Sequence, residues 1–333
     1  MRLALIGVTG MVGEVLLDLL LERQFPISTF IPVASSKSHG KTIEWKGDHY
    51  NIISPEEALF QNPDLAIFTA GSEVSKKYAQ LFAKQGCYVI DNSSAWRMSH
   101  GIPLVVPEIN CNMLNKNSLI IANPNCSTIQ LVMALKPIHD AYPITRVIVS
   151  TYQSVSGSGR NALDQLNRER NGDVEGAMEY PYQIDMNCIP HCDVFLENDY
   201  TKEEMKLTNE SKKILDDMDI HITATAVRVP VKGGHSESVN IEFRNDRPSV
   251  NIIRSLLAAF PGVKIQDFNE GKTYPMPIYA EGKNDVFVGR IRNDISHPKA
   301  INLWIVSDNL RKGAALNALQ IAENLISKHL LAN

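Results

Sequence analysis

Short apolar runs alternate with helical patterns through the first third of this 333-residue chain. Leu3–Val8, Thr29–Ala34, Leu65–Ala70, Tyr88–Asp91 and Leu119–Ala122 read as strands, with helices over Met11–Leu21 and Ser72–Gln85 among them. Strand, helix, strand at this spacing implies right-handed crossovers and so an α/β domain on a doubly wound parallel sheet. Beyond residue 126 the texture changes. Arg146–Tyr152, His221–Val229, Ser238–Arg244, Val286–Arg292 and Ala300–Val306 are longer strands with partial alternation, and helical patterns lie at Thr201–Met218 and Ser249–Ala259. This predicts a second, α+β domain on a mostly antiparallel sheet with helices on one face. A last helix over Gly313–Leu330 is expected to return to the first domain. The expected domains are therefore 1–126 with 308–333, and 127–307. Asn171–Tyr182, rich in Gly and acidic residues, reads as a loop.

Charge and cysteine usage exclude several classes. Net charge is −4 with no long basic or acidic run, which argues against nucleic acid or an anionic membrane as main partner. No apolar run reaches the ~18 residues of a membrane span. The N-terminus opens on a strand, without the features of a signal peptide. Five cysteines, an odd number, suit reduced thiols in the cytoplasm. Cys188 and Cys192 flank Pro190-His191, but a single C-x-x-x-C without a second pair is a poor metal site, and no metal is expected.

Gly7-Val8-Thr9-Gly10-Met11-Val12-Gly13 closes the first strand and opens the first helix. Glycines there let the backbone turn tightly and approach a pyrophosphate, whose charge sits on the helix N-terminus. The spacing is G-x-x-G-x-x-G and an ordinary strand–helix turn is the alternative, but the first strand of a doubly wound sheet is where such a loop binds a dinucleotide. After the second strand come Ser35, Ser36, Lys37 and Ser38 in place of the acid that holds an NAD ribose. Hydroxyls and a cation suit a 2′-phosphate, hence NADP, although a solvated loop would also carry Lys37.

Asn123-Pro124-Asn125-Cys126-Ser127-Thr128 places one cysteine between an apolar strand and the apolar helix starting at Ile129. It reads as a packed small hydrophobe or as a primed nucleophile. Unpaired N–H groups and the helix dipole at a helix N-terminus favour the thiolate, which points to the second reading.

The chain resembles the aspartate-semialdehyde dehydrogenase family over essentially its whole length. The resemblance rests on GVTGMVG at 7–13, SSAWRM at 93–98, NPNCST at 123–128, TYQSVSGSGR at 151–160, EEMK at 203–206, RVPVKGGHSE at 228–237 and SDNLRKGAALNALQ at 307–320. It implies a Rossmann domain for NADP and a thioester mechanism joining 4-phospho-L-aspartate, L-aspartate 4-semialdehyde and phosphate, on the route to lysine, threonine, methionine and diaminopimelate. Cys126 would be the nucleophile and His235 the acid–base, titrating near neutrality. Gln153 and Asn125 would orient the bound intermediate. Arg228 would grip the substrate α-carboxylate and Glu203 its ammonium, with Lys206 and Arg97 on the phosphate; a surface ion pair is the plainer reading of Glu203 and Lys206. Ser156, Gly157 and Asn309 would line the nicotinamide end. A homodimer, or a tetramer made of two such dimers, is expected. N-acetyl-γ-glutamyl-phosphate reductase runs the same chemistry, but its cysteine motif usually reads NPGCY and it has no use for Glu203 as an ammonium partner. Glyceraldehyde-3-phosphate dehydrogenase would show an acid after the second strand. A silent NADP-binding relative would typically lack Cys126, and a cysteine hydrolase would need no dinucleotide loop.

Overall fold

The computed structural model describes residues 1–173, 175–267 and 273–331. Chain contacts divide it into two compact units, Met1–Pro124 with Ala314–Asn333, and Asn125–Gly313.

The first unit begins with β1 (Arg2–Ile6), α1 (Met11–Glu22), β2 (Thr29–Val33), the hairpin β3 (Thr42–Trp45) and β4 (Asp48–Asn51), and α2 (Pro55–Phe60). It continues through β5 (Leu65–Phe68), α3 (Ser72–Lys84), β6 (Tyr88–Asp91), the single-turn α4 (Pro107–Asn110) and β7 (Ile120–Ala122). Five strands pair in the order β2-β1-β5-β6-β7, all parallel. Both faces of the central strands are buried, which is why their sequences are continuous apolar runs and not alternating ones. Leu3, Leu5, Leu65 and Ile67 point into a core with Leu16, Leu19 and Leu20 of α1 and Leu319 and Ala322 of the C-terminal helix, Leu316–Ser327. Ala4, Ile6, Ala66 and Phe68 point the other way, onto Tyr78 and Phe82 of α3. The hairpin escaped the pattern reading because its four-residue strands are largely exposed. Its turn is Lys46-Gly47, both at positive φ (56° and 82°), as a tight hairpin requires.

The second unit runs α5 (Cys126–Ala141), β8 (Ile144–Gln153), α6 (Arg160–Arg170), α7 (Lys202–Leu215), β9 (His221–Arg228) and β10 (His235–Phe243). α8 (Val250–Ala259), β11 (Val263–Ile265), α9 (Pro277–Ala280), β12 (Val286–Asn293) and β13 (Ala300–Ser307) complete it. Its six strands take the order β11-β12-β13-β10-β8-β9. The three central pairings are antiparallel and the two edge pairings parallel. One face carries Val147, Val149, Val239, Ile241, Ile301 and Leu303, all buried, and α5 packs against strands β8, β10, β12 and β13. The other presents Ser150, Tyr152, Ser238, Asn240 and Trp304, none of them fully covered. Asn171–Tyr182 holds no helix or strand among its described residues, while α6, just before it, has a sequence too polar to show an apolar stripe.

Candidate active site

Gly7 follows β1 at φ +93°, and a Cβ there would lie 2.6 Å from Thr69 Oγ1. A Cβ on Gly13 would lie 2.4 Å from the Gly7 carbonyl oxygen, so this glycine lets α1 start hard against the turn. No side chain caps α1 at Gly10, and Thr9 and Gly10 are exposed at the tip of the loop, with Met11 and Val12 half-buried behind them. The loop sits where the strand order reverses, between β1 and β5, the switch point at which doubly wound sheets bind ligands. Ser35–Ser38 form a turn closed by Ser38 N–H on the Ser35 carbonyl (2.9 Å). Ser35 and Ser36 border a cleft of about 950 Å³ with Lys77 and three carboxylates, Glu56, Glu57 and Glu73, while Lys37 stands exposed beside it. Arg97, 7% exposed, belongs to this unit and donates to the Asn123 (2.9 Å) and Asn92 (2.7 Å) carbonyls.

In the second unit Cys126 is the first residue of α5, half-buried, and Asn125 is its N-cap. Asn125 Oδ1 accepts from the N–H groups of Ser127 (2.9 Å) and Thr128 (3.3 Å). Two of the donors expected to face the thiol are therefore taken by the cap. Asn125 Nδ2 donates to Glu203 Oε1 (2.9 Å) and its backbone N–H to Glu210 Oε2 (2.7 Å). Glu203 and Glu210 are seven residues apart, on one face of α7. The helix is held by a capping box at Thr201, whose Glu204 also accepts from Ala226 N–H of β9 (2.9 Å).

Glu203 is a hub. Its Oε1 also accepts from Gln153 Nε2 (3.2 Å) and its Oε2 from Lys206 Nζ (2.9 Å), while Lys206 reaches Asp193 (2.7 Å). Burial works against ionising Glu203, but Lys206, Asn125 and Arg228 outweigh it and hold the carboxyl down at about 2. Glu203, buried, and Lys206, half-buried, thus form a largely shielded pair and not a surface one. Gln153, at the end of β8, donates as well to Ser127 Oγ (3.1 Å) and Thr151 Oγ1 (3.3 Å).

His235 opens β10 and is 0% exposed. Its Nδ1 accepts the Ser154 backbone N–H (3.0 Å), so the neutral ring carries its proton on Nε2. That Nε2 has no partner among the described residues, nor has Arg228 Nε. Burial first, and the Arg228 charge second, push the imidazole from 6.5 to about 3. The expectation that it titrates near neutrality does not hold for this environment. Arg228 donates to the Ser154 carbonyl (2.6 Å) and lies 5.8 Å from the Tyr180 ring, which the 171–182 loop delivers. A Cβ on Gly157 would stand 3.0 Å from both Arg228 NH1 and His235 Nε2, so this glycine keeps the space before them open. Asn309 accepts at Oδ1 from Ser154 Oγ (3.0 Å), Ser156 Oγ (3.2 Å) and Gly234 N–H (3.0 Å), lacing three loops together.

Residues 2–117 match the family model described as semialdehyde dehydrogenase, NAD binding domain, and residues 135–312 the one described as semialdehyde dehydrogenase, dimerisation domain. An aspartate-semialdehyde dehydrogenase of Aquifex aeolicus is 48% identical, covering 99% of each chain. One from Legionella pneumophila is 49% identical over 99% of this chain and 97% of its own. The chain belongs to the aspartate-semialdehyde dehydrogenase family. A crystal structure of aspartate semialdehyde dehydrogenase II complexed with ASA, from Vibrio cholerae, superposes with TM-score 0.94 at 44% identity, covering 98% of both chains.

Several residues of this aspartate-semialdehyde dehydrogenase fold escaped sequence reasoning. Glu210 carried a signal, its heptad spacing from Glu203. Ser154, whose backbone fixes the His235 tautomer, and Asp193, which holds Lys206, carried none. Gly313 was also missed: a Cβ there would lie 2.9 Å from that of Cys126. It belongs to a π-helical turn, Arg311–Ala315, a rare conformation that often marks functional sites.

Proposed function

We propose that the chain interconverts 4-phospho-L-aspartate and L-aspartate 4-semialdehyde through a thioester on Cys126. The observation that carries this reading is the buried His235 Nε2 donor, without a partner among the described residues, beside the Arg228 guanidinium, both against the space that Gly157 leaves open. Cys126 Sγ attacks the acyl-phosphate carbon, the carbon–oxygen bond to phosphate breaks, and phosphate leaves. The cradle at Gly7 and Gly13 would hold the pyrophosphate of a nicotinamide dinucleotide, which would supply the hydride for reduction of this thioester. Collapse of the thiohemiacetal breaks the carbon–sulfur bond and frees the aldehyde. Arg228 orients the α-carboxylate with its planar guanidinium. Glu203, ionised, receives the ammonium, and Lys206 with Arg97 the phosphate.

His235 Nε2–H is the hydrogen-bond donor toward the oxygen that gains charge in the thiohemiacetal. Gln153 and Asn125 hold Glu203 and the start of α5, and Asn309 with Ser156 shapes the loops beside Gly157. NADP is the preferred dinucleotide, since Ser35, Ser36, Lys37 and Ser38 offer hydroxyls and a cation and no acid. The protein is a cytoplasmic homodimer that associates through the open sheet face of the second unit, with tetramers as pairs of dimers. Its products feed lysine, threonine, methionine and diaminopimelate synthesis.

The test is reduction of NADP and of NAD by purified protein with L-aspartate 4-semialdehyde and phosphate, beside Cys126→Ala. Phosphate-dependent turnover that favours NADP and vanishes in the variant is expected. Turnover without phosphate, or its survival in Cys126→Ala, sinks the thioester reading.

A further inference from the structure

Six side chains deep in the second unit have no hydrogen-bond partner at any side-chain polar atom among the described residues; four are lone hydroxyls, and the two with more than one polar atom are Glu237 on β10 and Gln130 on α5. Both are inaccessible, at 0% and 1% exposed. Glu237 lies on the helix-facing side of the sheet, two residues after His235, between Thr151 of β8 and Ile305 of β13. Gln130 lies four residues after Cys126, on the same face of α5. Burial pushes the Glu237 carboxyl well above the ordinary range, and the Gln130 amide, its polar neighbour, offsets only part of that. No charged side chain among the described residues adds to those two influences. Four dry polar atoms at the centre of a domain are costly, and none is used by the chemistry above.

We propose that Glu237, as a neutral acid, and Gln130 form a reciprocal acid–amide pair that fixes the helix bearing Cys126 to the strand that begins at His235. The acid O–H donates to the Gln130 carbonyl oxygen, and the Gln130 amide N–H donates to the Glu237 carbonyl oxygen. Closing the pair takes rotation about the terminal torsions of the two side chains, which are broad. An ionised Glu237 offers no donor and leaves the Gln130 oxygen orphaned, so the neutral form belongs to the arrangement. An apolar site that keeps a carboxylic acid neutral so that it can donate is established protein chemistry. Glu237 touches no reacting atom; it is a positioning residue. Its effect on rate rests on the reading of Cys126 and His235 given above, while its protonation does not.

The first readout is the infrared difference between the wild type and Glu237→Gln at mildly alkaline pH. A carbonyl band of a protonated carboxylic acid, absent from the variant, is expected; a carboxylate band in its place overturns the proposal whatever the enzyme catalyses. Kinetics supply the second. Glu237→Gln keeps a neutral two-point partner and should stay near the wild-type kcat. Glu237→Ala and Gln130→Ala should each lower kcat on the order of 10- to 100-fold by misplacing the thiol, with KM little changed. The double variant should be no worse than either single one, and additive losses would exclude the pairing. An acid band in a protein inactive on the semialdehyde would overturn the substrate reading and leave the pair standing.

Discussion

His235 stays neutral in the folded protein down to about 3, because burial and the Arg228 charge both oppose its protonation, whereas an unfolded chain takes up that proton near 6.5. Folding stability therefore falls as pH drops through that window, the unfolded state binding the extra proton. Glu203 adds a second slope of the same sign: its carboxyl, lowered from 4.5 to about 2, contributes stability above 4.5 that is lost as pH falls toward 2. Between 6.5 and 4.5 the histidine acts without Glu203. His235→Asn, which cannot take up a proton there, should lose roughly 2 kcal/mol less stability than wild type across that interval. Urea unfolding at several pH values measures this, and equal slopes for the two proteins would remove burial as the cause.

Helix α5 starts where it does because Asn125 caps it, and the same amide ties the cap to Glu203. Asn125→Ala should cost about 1–2 kcal/mol in chemical denaturation from the cap alone. Aspartate is ordinarily as good an N-cap as asparagine. Here Asn125→Asp would set a second carboxylate beside Glu203, whose Oε1 now receives the asparagine amide at 2.9 Å. It should therefore be less stable than Asn125→Ala near neutral pH, and the reverse order would show that Glu203 is not the partner that matters. Much of this element was legible in sequence: an apolar helix after N-P-N, and Glu203 and Lys206 three apart. What was not legible is where each polar end goes. The motif suggested Asn125 as a contact for the bound intermediate, yet both ends of its amide serve the protein itself. The charge of His235 depends on burial and on Arg228, which a strand pattern does not report. The β3–β4 hairpin was invisible because exposed strands carry no apolar signature.

On the second unit's sheet α5 covers one face, while on the other face only the short α9 packs among the described residues, at Val306 and Trp304. On that second face, Tyr152 (38% exposed) and Trp304 place their rings 5.3 Å apart amid Ser150, Ser238 and Asn240. A central sheet face with two aromatic residues and small polar neighbours is suited to a second copy, since the non-polar rings gain by leaving water and the polar groups find partners. Residues 135–312 match a model described as a dimerisation domain. Tyr152→Asp combined with Trp304→Asp should shift sedimentation from dimer to monomer with the circular-dichroism spectrum unchanged. A variant that sediments as the wild type does would place the interface elsewhere.

Asn125 is a shared part: one amide both caps α5 and holds the Glu203 carboxylate. Screens for cellular abundance and screens for growth without the pathway's end products ordinarily tolerate different residues at a given site. At position 125 the two tolerance profiles should coincide. A laboratory lineage selected for heat resistance would then collect its changes on exposed positions such as Phe60 and Met186, leaving this seam untouched.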